Sequence, residues 1–426
     1  MTALVFGLAP LRSSLRVPMS IALKTSGATA HQDRDRAWGR KAVAGLQVAL
    51  CLMLLVSAGL MVCTLHNLEQ IPLGMRAAGL LVFGISPQQR AQSHPETVRF
   101  YEGFLNPLRE VPGVESVTLT ENRIGSGWSN NTGVFVDGRN PQGDRSSPVR
   151  WNSVGPDSFT LGTPILYGRD ILESDGVNAP KVAVVNETFV KRYLAGRNPL
   201  EHNIALSSRT DAPQYRIVGV AADSKYTGVR EQPAPMAYFS YKQMEHVSAM
   251  HVELRMAGDP ELFLPAVQRT VRDYSPDLPL EQVRTQQQQF AMNFAQDRMV
   301  ARLALFFGLL AVVLVATGLY GTMAYSVNRR TAEIGVRVAL GAQRRDVLWM
   351  VLRESLLVCA AGIALGLPLA MAGSRLLRSM LYGVEPDDPV TFIVSLTGLL
   401  LVTTVSGLLP APRAASIDPI TALRTE

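Results

Sequence analysis

Four stretches of this 426-residue chain contain no charged side chain: Ala42–Leu65, Leu303–Asn328, Ser355–Ser374 and Pro389–Pro412. Each offers at least 20 residues, enough for a helix to cross a hydrocarbon core about 30 Å thick. Uncharged apolar runs of that length exclude loops and surface helices, and a soluble fold rarely buries four of them. Cysteine is scarce too. The three, Cys51, Cys63 and Cys359, all fall inside these runs, where they read as small apolar residues. The long segment from residue 66 to 298 has none, which excludes a disulfide framework there. His94, His202, His246 and His251 show no metal-ligand spacing with cysteine or paired carboxylates. A Gly-x-Ser-x-Gly nucleophile elbow is missing. Lys24-Thr25 lacks the glycines that a phosphate loop needs. Catalysis and direct nucleotide binding therefore have no support in the residues.

What charge there is lies unevenly. Residues 66–302 carry 24 Lys/Arg and 25 Asp/Glu, close to neutral. Residues 1–65 carry 7 basic against 2 acidic, and residues 327–354 carry 6 against 3. The net charge of +6 thus sits before the first apolar run and between the second and third. By the positive-inside rule these segments are cytoplasmic, with Arg34, Arg36, Arg40 and Lys41 just ahead of the first span weighing most. The C-terminus is then inside and residues 66–298 outside. A pI near 9.3 first suggests nucleic acid as a partner, but this distribution is explained by topology.

Residues 66–298 are too many for a loop and read as a folded domain. Leu80–Ile85, Val114–Leu119, Gly133–Val136, Tyr215–Asp223 and Met250–Arg255 read as strands. Pro95–Leu108 and Glu261–Tyr274 have helical spacing, and Val182–Pro199 reads strand, helix, then a Gly/Pro stop. The expected fold is a membrane protein of four transmembrane α-helices, with a large α+β extracytoplasmic domain of two lobes between spans 1 and 2. Within that domain, Asp170, Glu173 and Asp175 fail the spacing of a calcium loop and read as a solvated turn. Gln286–Gln289 reads as an exposed helix or linker ahead of the second span.

The connection between spans 2 and 3, NRRTAEIGVRVALGAQRRDVLWMVLRESL, is short and basic. Ile334, Val336, Val338 and Leu340 alternate, while Ile334, Val338 and Gly341 or Ala342 also fit one helix face, so periodicity leaves both open. Gly335 and Ala339 would admit a close neighbour. TAEIGVRVALGAQRRDV resembles the cytoplasmic coupling segment of MacB/FtsX-type ABC transporter permeases. GTPILYGRDILESDG, KVAVVNETFVKRYLAGRNPLEHNI and YRIVGVAADSKYTGVREQPAPMAYFSY resemble the periplasmic core domain of macrolide-exporter-like permeases. GLLPAPRAASIDPITALRTE resembles the family's C-terminal signature, with Pro412 standing where the family commonly has Arg.

The resemblance implies a non-catalytic permease that holds no cofactor. ATP would be bound by a partner ABC ATP-binding subunit docking at Glu333, Ile334, Gly335, Arg337, Ala339, Leu340, Gly341 and Ala342. It implies mechanotransmission: the second span carries nucleotide-driven motion to the outer domain, for export of a drug, peptide, lipid or lipoprotein. Gln47 is the one strongly polar side chain inside the runs, few for a polar pathway through the membrane. Further partners are a second permease copy or half, a periplasmic adaptor and the lipid bilayer, with no nucleic acid. The location implied is the bacterial inner membrane, both termini cytoplasmic. The expected boundaries are a cytoplasmic segment 1–41, span 1 at 42–65, the periplasmic core domain at 66–298 and span 2 at 303–328. The coupling segment 329–354, span 3 at 355–374, a periplasmic loop 375–388, span 4 at 389–412 and a tail 413–426 follow. The alternative from another class is an FtsX-like regulator that transmits ATP-driven motion to an extracytoplasmic hydrolase. A membrane-anchored enzyme is a third class and would need a catalytic constellation that the outer segment does not offer.

One repeat remains. Gly7, Leu8, Pro10, Ala22, Leu23 and Thr25 recur 400 residues later as Gly407, Leu408, Pro410, Ala422, Leu423 and Thr425. Residues 1–41 therefore resemble the tail of a preceding permease half, and the chain the C-terminal half of a tandem permease.

Overall fold

In the computed structural model, described residues are 29–86, 93–143, 147–159, 162–207, 212–247, 249–329 and 343–408. They divide into an outer unit, Thr64–Val300, and a helical unit made of the flanking segments.

The outer unit is one mixed sheet. Its strands in chain order are β1 (Leu80–Ile85), β2 (Val114–Thr120), β3 (Asn130–Gly133), β4 (Phe135–Val136), β5 (Pro148–Val154), β6 (Ile165–Gly168), β7 (Val182–Asn186), β8 (Asn203–Ala205), β9 (Tyr215–Ala221), β10 (Met236–Ser240), β11 (Met250–Met256) and β12 (Glu281–Thr285). The order across the sheet is β12-β1-β11-β2-β5-β10-β7-β9-β8-β4, with β3 on β5 and β6 on β9. Where one strand was expected at Gly133–Val136, Val134 instead separates two short ones, β3 pairing with β5 and β4 with β8.

The first half of the sheet, β12-β1-β11-β2, is antiparallel. Alternation along β11 sorts its residues: Met250, Val252, Leu254 and Met256 enter an apolar core, and His251, Glu253 and Arg255 take the opposite face. Two helices supply the rest of that core. Helix α2 (His94–Arg109) contributes Val98, Tyr101, Phe104 and Leu105, and α3 (Pro260–Tyr274) contributes Val267 and Val271. Both helices begin on sequence signals. The Ser93 N–H donates to Glu96 Oε2 at 3.1 Å, with Pro95 in the first turn, and Asp259 accepts from the Glu261 N–H with Pro260 next to it.

The second half runs β5-β10-β7-β9-β8, with parallel pairs β10–β5 and β7–β9. It has its own cores, one around Val185, Phe189, Ile217 and Phe239 and one around Val154, Phe159, Tyr226 and Tyr238. Between β2 and β5 only Thr120 and Val154 are in register. Polar side chains finish this seam. Asn152 Nδ2 donates to Thr120 Oγ1 at 2.6 Å and to the Asn122 carbonyl at 3.0 Å, while its Oδ1 accepts from the Asn122 N–H at 2.9 Å.

The helical unit is built on α1 (Thr29–Glu69), α5 (Ala295–Arg329), α6 (Arg344–Leu376) and α7 (Pro389–Leu408); a further outer-unit helix, α4 (Gln286–Asn293), precedes α5. All four are long and apolar enough to cross a membrane, and α1, α5 and α6 extend beyond the uncharged runs at both or one of their ends. Side-chain packing among them centres on Val48, Leu52, Val56, Val315, Cys359 and Leu399. Small residues bring backbones close. A Cβ on Gly362 would lie 2.6 Å from Val48 Cβ and 2.7 Å from the Gly45 carbonyl oxygen, and one on Gly366 would lie 2.9 Å from Ala49 Cα. Gly362 and Gly366 form a Gly-x-x-x-Gly pair, the spacing that lets membrane helices approach. Leu303, Phe306, Phe307, Leu310 and Leu314 of α5 are exposed, as a lipid-facing stripe would be.

Candidate functional site

The expected coupling residues Glu333, Ile334, Gly335, Arg337, Ala339, Leu340, Gly341 and Ala342 lie outside the described residues, as do both copies of the terminal repeat apart from Gly407 and Leu408. The structure does describe what flanks the coupling segment. Helix α6 starts on Gln343, whose N–H donates to Asp346 Oδ2 at 3.0 Å. Nearly three turns into the helix, Glu354 takes an ion pair from Lys41 Nζ at 2.5 Å and a hydrogen bond from Ser326 Oγ at 3.3 Å. The Arg40 guanidinium sits 4.0 Å from the centre of the Tyr325 ring. Residues of α1, α5 and α6 are thereby tied together at the end that carries the 330–342 connection. Charge counting assigned Arg40 and Lys41 to topology alone. The signal for this collar was Glu354, the lone acid at the mouth of the third uncharged run.

The first turn of α5 falls within the outer unit, and just ahead of it the expectation for the glutamine run is corrected. Gln286–Gln289 opens α4, capped by Thr285 Oγ1, which accepts from the Gln288 N–H at 3.1 Å. Gln286 and Gln289 are buried; Gln287 and Gln288 are exposed. Gln286 Nε2 donates to the Ile124 carbonyl at 2.8 Å, and Gln289 Nε2 and Asn293 Nδ2 both donate to the Gly125 carbonyl at 2.9 Å. A helical period of 3.6 puts residues 286, 289 and 293 on one face, so the run is a polar clamp rather than a linker. Two ion pairs extend it into the first turn of α5: Asp297 with Arg230 at 2.6 Å, and Arg298 with Glu69 at 3.2 Å.

The loop presenting Arg230 is itself wired. Glu231 accepts from Arg150 Nη1 at 2.6 Å, from the Thr227 N–H at 2.8 Å, and from the Tyr226 N–H and Thr227 hydroxyl. Burial would raise its carboxyl, but the hydrogen bonds from Thr227 and Arg150 outweigh it and hold the carboxyl below its ordinary range. Beside this clamp lies a cavity of about 540 Å³ lined by Leu68, Leu73, Met75, Val229, Phe290 and Phe294.

The acidic turn is also corrected. Asp175 is buried and takes a bidentate pair from Arg169, at 2.6 and 2.9 Å, plus the Leu172 N–H at 2.9 Å. Asp170 accepts from the Phe159 and Ile171 N–H groups, and Glu173 pairs with Lys242 at 2.6 Å. The turn is a self-satisfied structural knot, in which the Asp175 hydrogen bond pushes the Arg169 guanidinium up. Among the described residues no group of three His, Cys, Asp or Glu could hold a metal.

Comparison with known families bears on both units. The family model for the MacB-like periplasmic core domain matches residues 48–270, and that for the FtsX-like permease C-terminal region matches residues 305–419. This chain belongs to the MacB/FtsX-type permease family. The macrolide export ATP-binding/permease protein MacB of Bdellovibrio bacteriovorus is 27% identical over 298 residues, covering 65% of this permease chain and 44% of that protein. The pyoverdine export ATP-binding/permease protein PvdT of Pseudomonas fluorescens is 27% identical over 283 residues, covering 62% of this chain and 40% of that one. The chain spans about half the length of the curated relatives it matches. The crystal structure of the periplasmic region of MacB from Actinobacillus actinomycetemcomitans aligns over 50% of this chain and 91% of that one, at 14% identity and a TM-score of 0.35.

Proposed function

We propose that this chain is the permease subunit of an ABC-type exporter. An ATP-binding partner moves the segment Glu333–Ala342, and helix α5 carries that motion into the outer domain. The observation that supports this most is the anchoring of α5 at both ends: Ser326 and Tyr325 in the polar collar next to the coupling segment, and Asp297 and Arg298 beside the α4 clamp. A helix meant to transmit displacement needs fixed ends. The basic connection faces the cytoplasm and the outer domain the periplasm of the inner membrane, by the charge asymmetry already described. A second permease copy or half seats the second ATPase subunit, and a periplasmic adaptor receives the cargo. The relatives' names mention a macrolide and a pyoverdine, which fits an exporter of amphipathic drugs, peptides, lipids or lipoproteins.

The test is ATPase stimulation. With its ATP-binding partner in proteoliposomes, the wild-type chain is expected to stimulate hydrolysis, and Arg337→Glu, Gly335→Trp and Gly341→Trp are expected to abolish the stimulation while leaving expression intact. Unchanged stimulation in all three variants would remove the docking assignment. Co-purification of a hydrolase with the outer domain, in place of an adaptor, would favour the regulatory alternative.

A further inference from the structure

Glu253 sits in the middle of β11, opposite Val82 of β1 and Thr118 of β2, on the face turned away from the first apolar core. It is only 4% exposed, and its Oε1 has no hydrogen-bond partner. Arg123, 2% exposed, is the opposing charge that acts on it most strongly; Arg123 spends Nη1 on the Gln282 carbonyl and on Gln289 Oε1, leaving Nε and Nη2 unpartnered. Gln286, fully buried in α4, leaves Oε1 unpartnered as well. Buried polar groups are nearly always paired, so three neighbouring exceptions on β11, the 121–127 loop and α4 mark a built feature. They stand where the two halves of the sheet meet through the Thr120–Val154 pair and where the polar clamp holds α4.

The other ionisable groups around Glu253 are few. On its own strand are Arg255 and His251, whose Nδ1–H donates to the Glu121 carbonyl at 2.9 Å. From β2 and its following loop come Glu115, Glu121 and Arg123; from β12, Arg284; from the 222–235 loop and β10, Tyr226 and Tyr238; from the chain before β1, Arg76. Tyr226 donates to the Asn122 carbonyl at 3.4 Å, and both tyrosines are held neutral by burial.

We propose that Glu253 is a proton-held lock: neutral, it keeps the seam shut over helix α4; ionised, it draws in water and lets α4 loosen. A carboxylate in this position must be desolvated without a direct ion pair, so any opening that hydrates it is favoured once it is charged. Burial raises the Glu253 carboxyl to about 7, the Arg123 and Arg255 charges opposing only in part. The closed state therefore holds the proton more tightly than an opened, hydrated one. Closure is favoured at lower pH and lost as pH rises through about 7. Burial lowers His251, helped by Arg123, which gives the opposite trend on acidification; that trend is common to wild type and Glu253 variants and cancels in their difference. The use of the lock in transport rests on the proposed permease reading, whereas the lock itself does not.

The experiment is hydrogen–deuterium exchange of the full chain in lipid nanodiscs, without nucleotide or ATPase, at pH 6 and pH 8 and corrected for intrinsic rates. Protection of the 286–293 amides in the wild type is expected to fall about tenfold from pH 6 to pH 8, one decade for the pH unit below the Glu253 midpoint, and to level off above it. Glu253→Gln, nearly isosteric and neutral, is expected to stay protected at both values, and Glu253→Met to do the same. A wild type with no change, or a Gln variant with the wild-type change, overturns the lock. Because no ATPase is present, either result leaves the docking assignment to its own assay.

Discussion

The outer and helical units solve the same packing problem with opposite materials. The outer unit places charged and amide side chains inside: Glu253, Arg123, Gln286, Gln289 and Asn152 are all buried at or near its seam. The helical unit pairs charge at its end, at Lys41 and Glu354, keeps the amide of Gln47 beside Gly318, and packs the rest of its middle with Gly362 and Gly366 against Val48 and Ala49. A domain in water gains stability by burying apolar surface, so it can retain a polar seam and the motion that goes with it. Helices in lipid gain nothing from hiding leucine from leucine. They depend on close backbone contact, which small residues allow.

Breaking each side of this contrast should give graded effects. The largest is expected in the outer unit's apolar core. Phe83→Ala removes a fully buried ring and should cost about 3–5 kcal/mol, read by chemical denaturation followed through the outer-domain signal. Next comes the polar seam. Because the folded-state carboxyl of Glu253 lies near 7 against an ordinary 4.5, wild-type stability should fall as pH rises between those values. Glu253→Gln should flatten that slope and gain on the order of 3 kcal/mol above pH 7, measured as the difference between the two melting profiles.

In the helical unit, Gly366→Leu drives a side chain into the Ala49 backbone and should cost about 1–3 kcal/mol. Its melting in detergent should drop while exchange in the outer sheet stays unchanged. The smallest effect is expected at the collar. Lys41→Ala removes one partly exposed ion pair, worth less than about 1 kcal/mol, so a near-silent melting curve combined with altered ATPase stimulation would separate a coupling role from a structural one.

The architecture was legible where the physics is periodic. The four uncharged runs located the membrane-type helices, alternation located β2 and β11, and short apolar runs located β1 and β9, each to within a residue or two of its ends. The expected coupling segment rests on resemblance alone, because alternation and helical spacing fit Glu333–Ala342 equally well and these residues lie outside the described ones. The lock and the clamp were not legible. A glutamine run reads as solvent-exposed until the helix phase of Gln286, Gln289 and Asn293 and the carbonyls of Ile124 and Gly125 are seen together. Glu253 reads as one polar step of an alternating strand, and only the sheet's second layer of loops turns its outer face into an interior. Gly45, Ala49, Gly362 and Gly366 lay in plain view, yet their pairing needs the helix contacts that a single chain of letters does not specify.

In the proposed mechanism, motion entering at the coupling segment leaves through α5 into α4 and the seam. The direct measurement is exchange at 286–293 in the complex with its ATP-binding partner, with and without ATP, for the wild type and for Arg337→Glu. An ATP-dependent change is expected in the wild type, lost in the variant while its resting exchange stays the same. An ATP response of equal size in both proteins, or none in a wild type whose ATPase is stimulated, would contradict it.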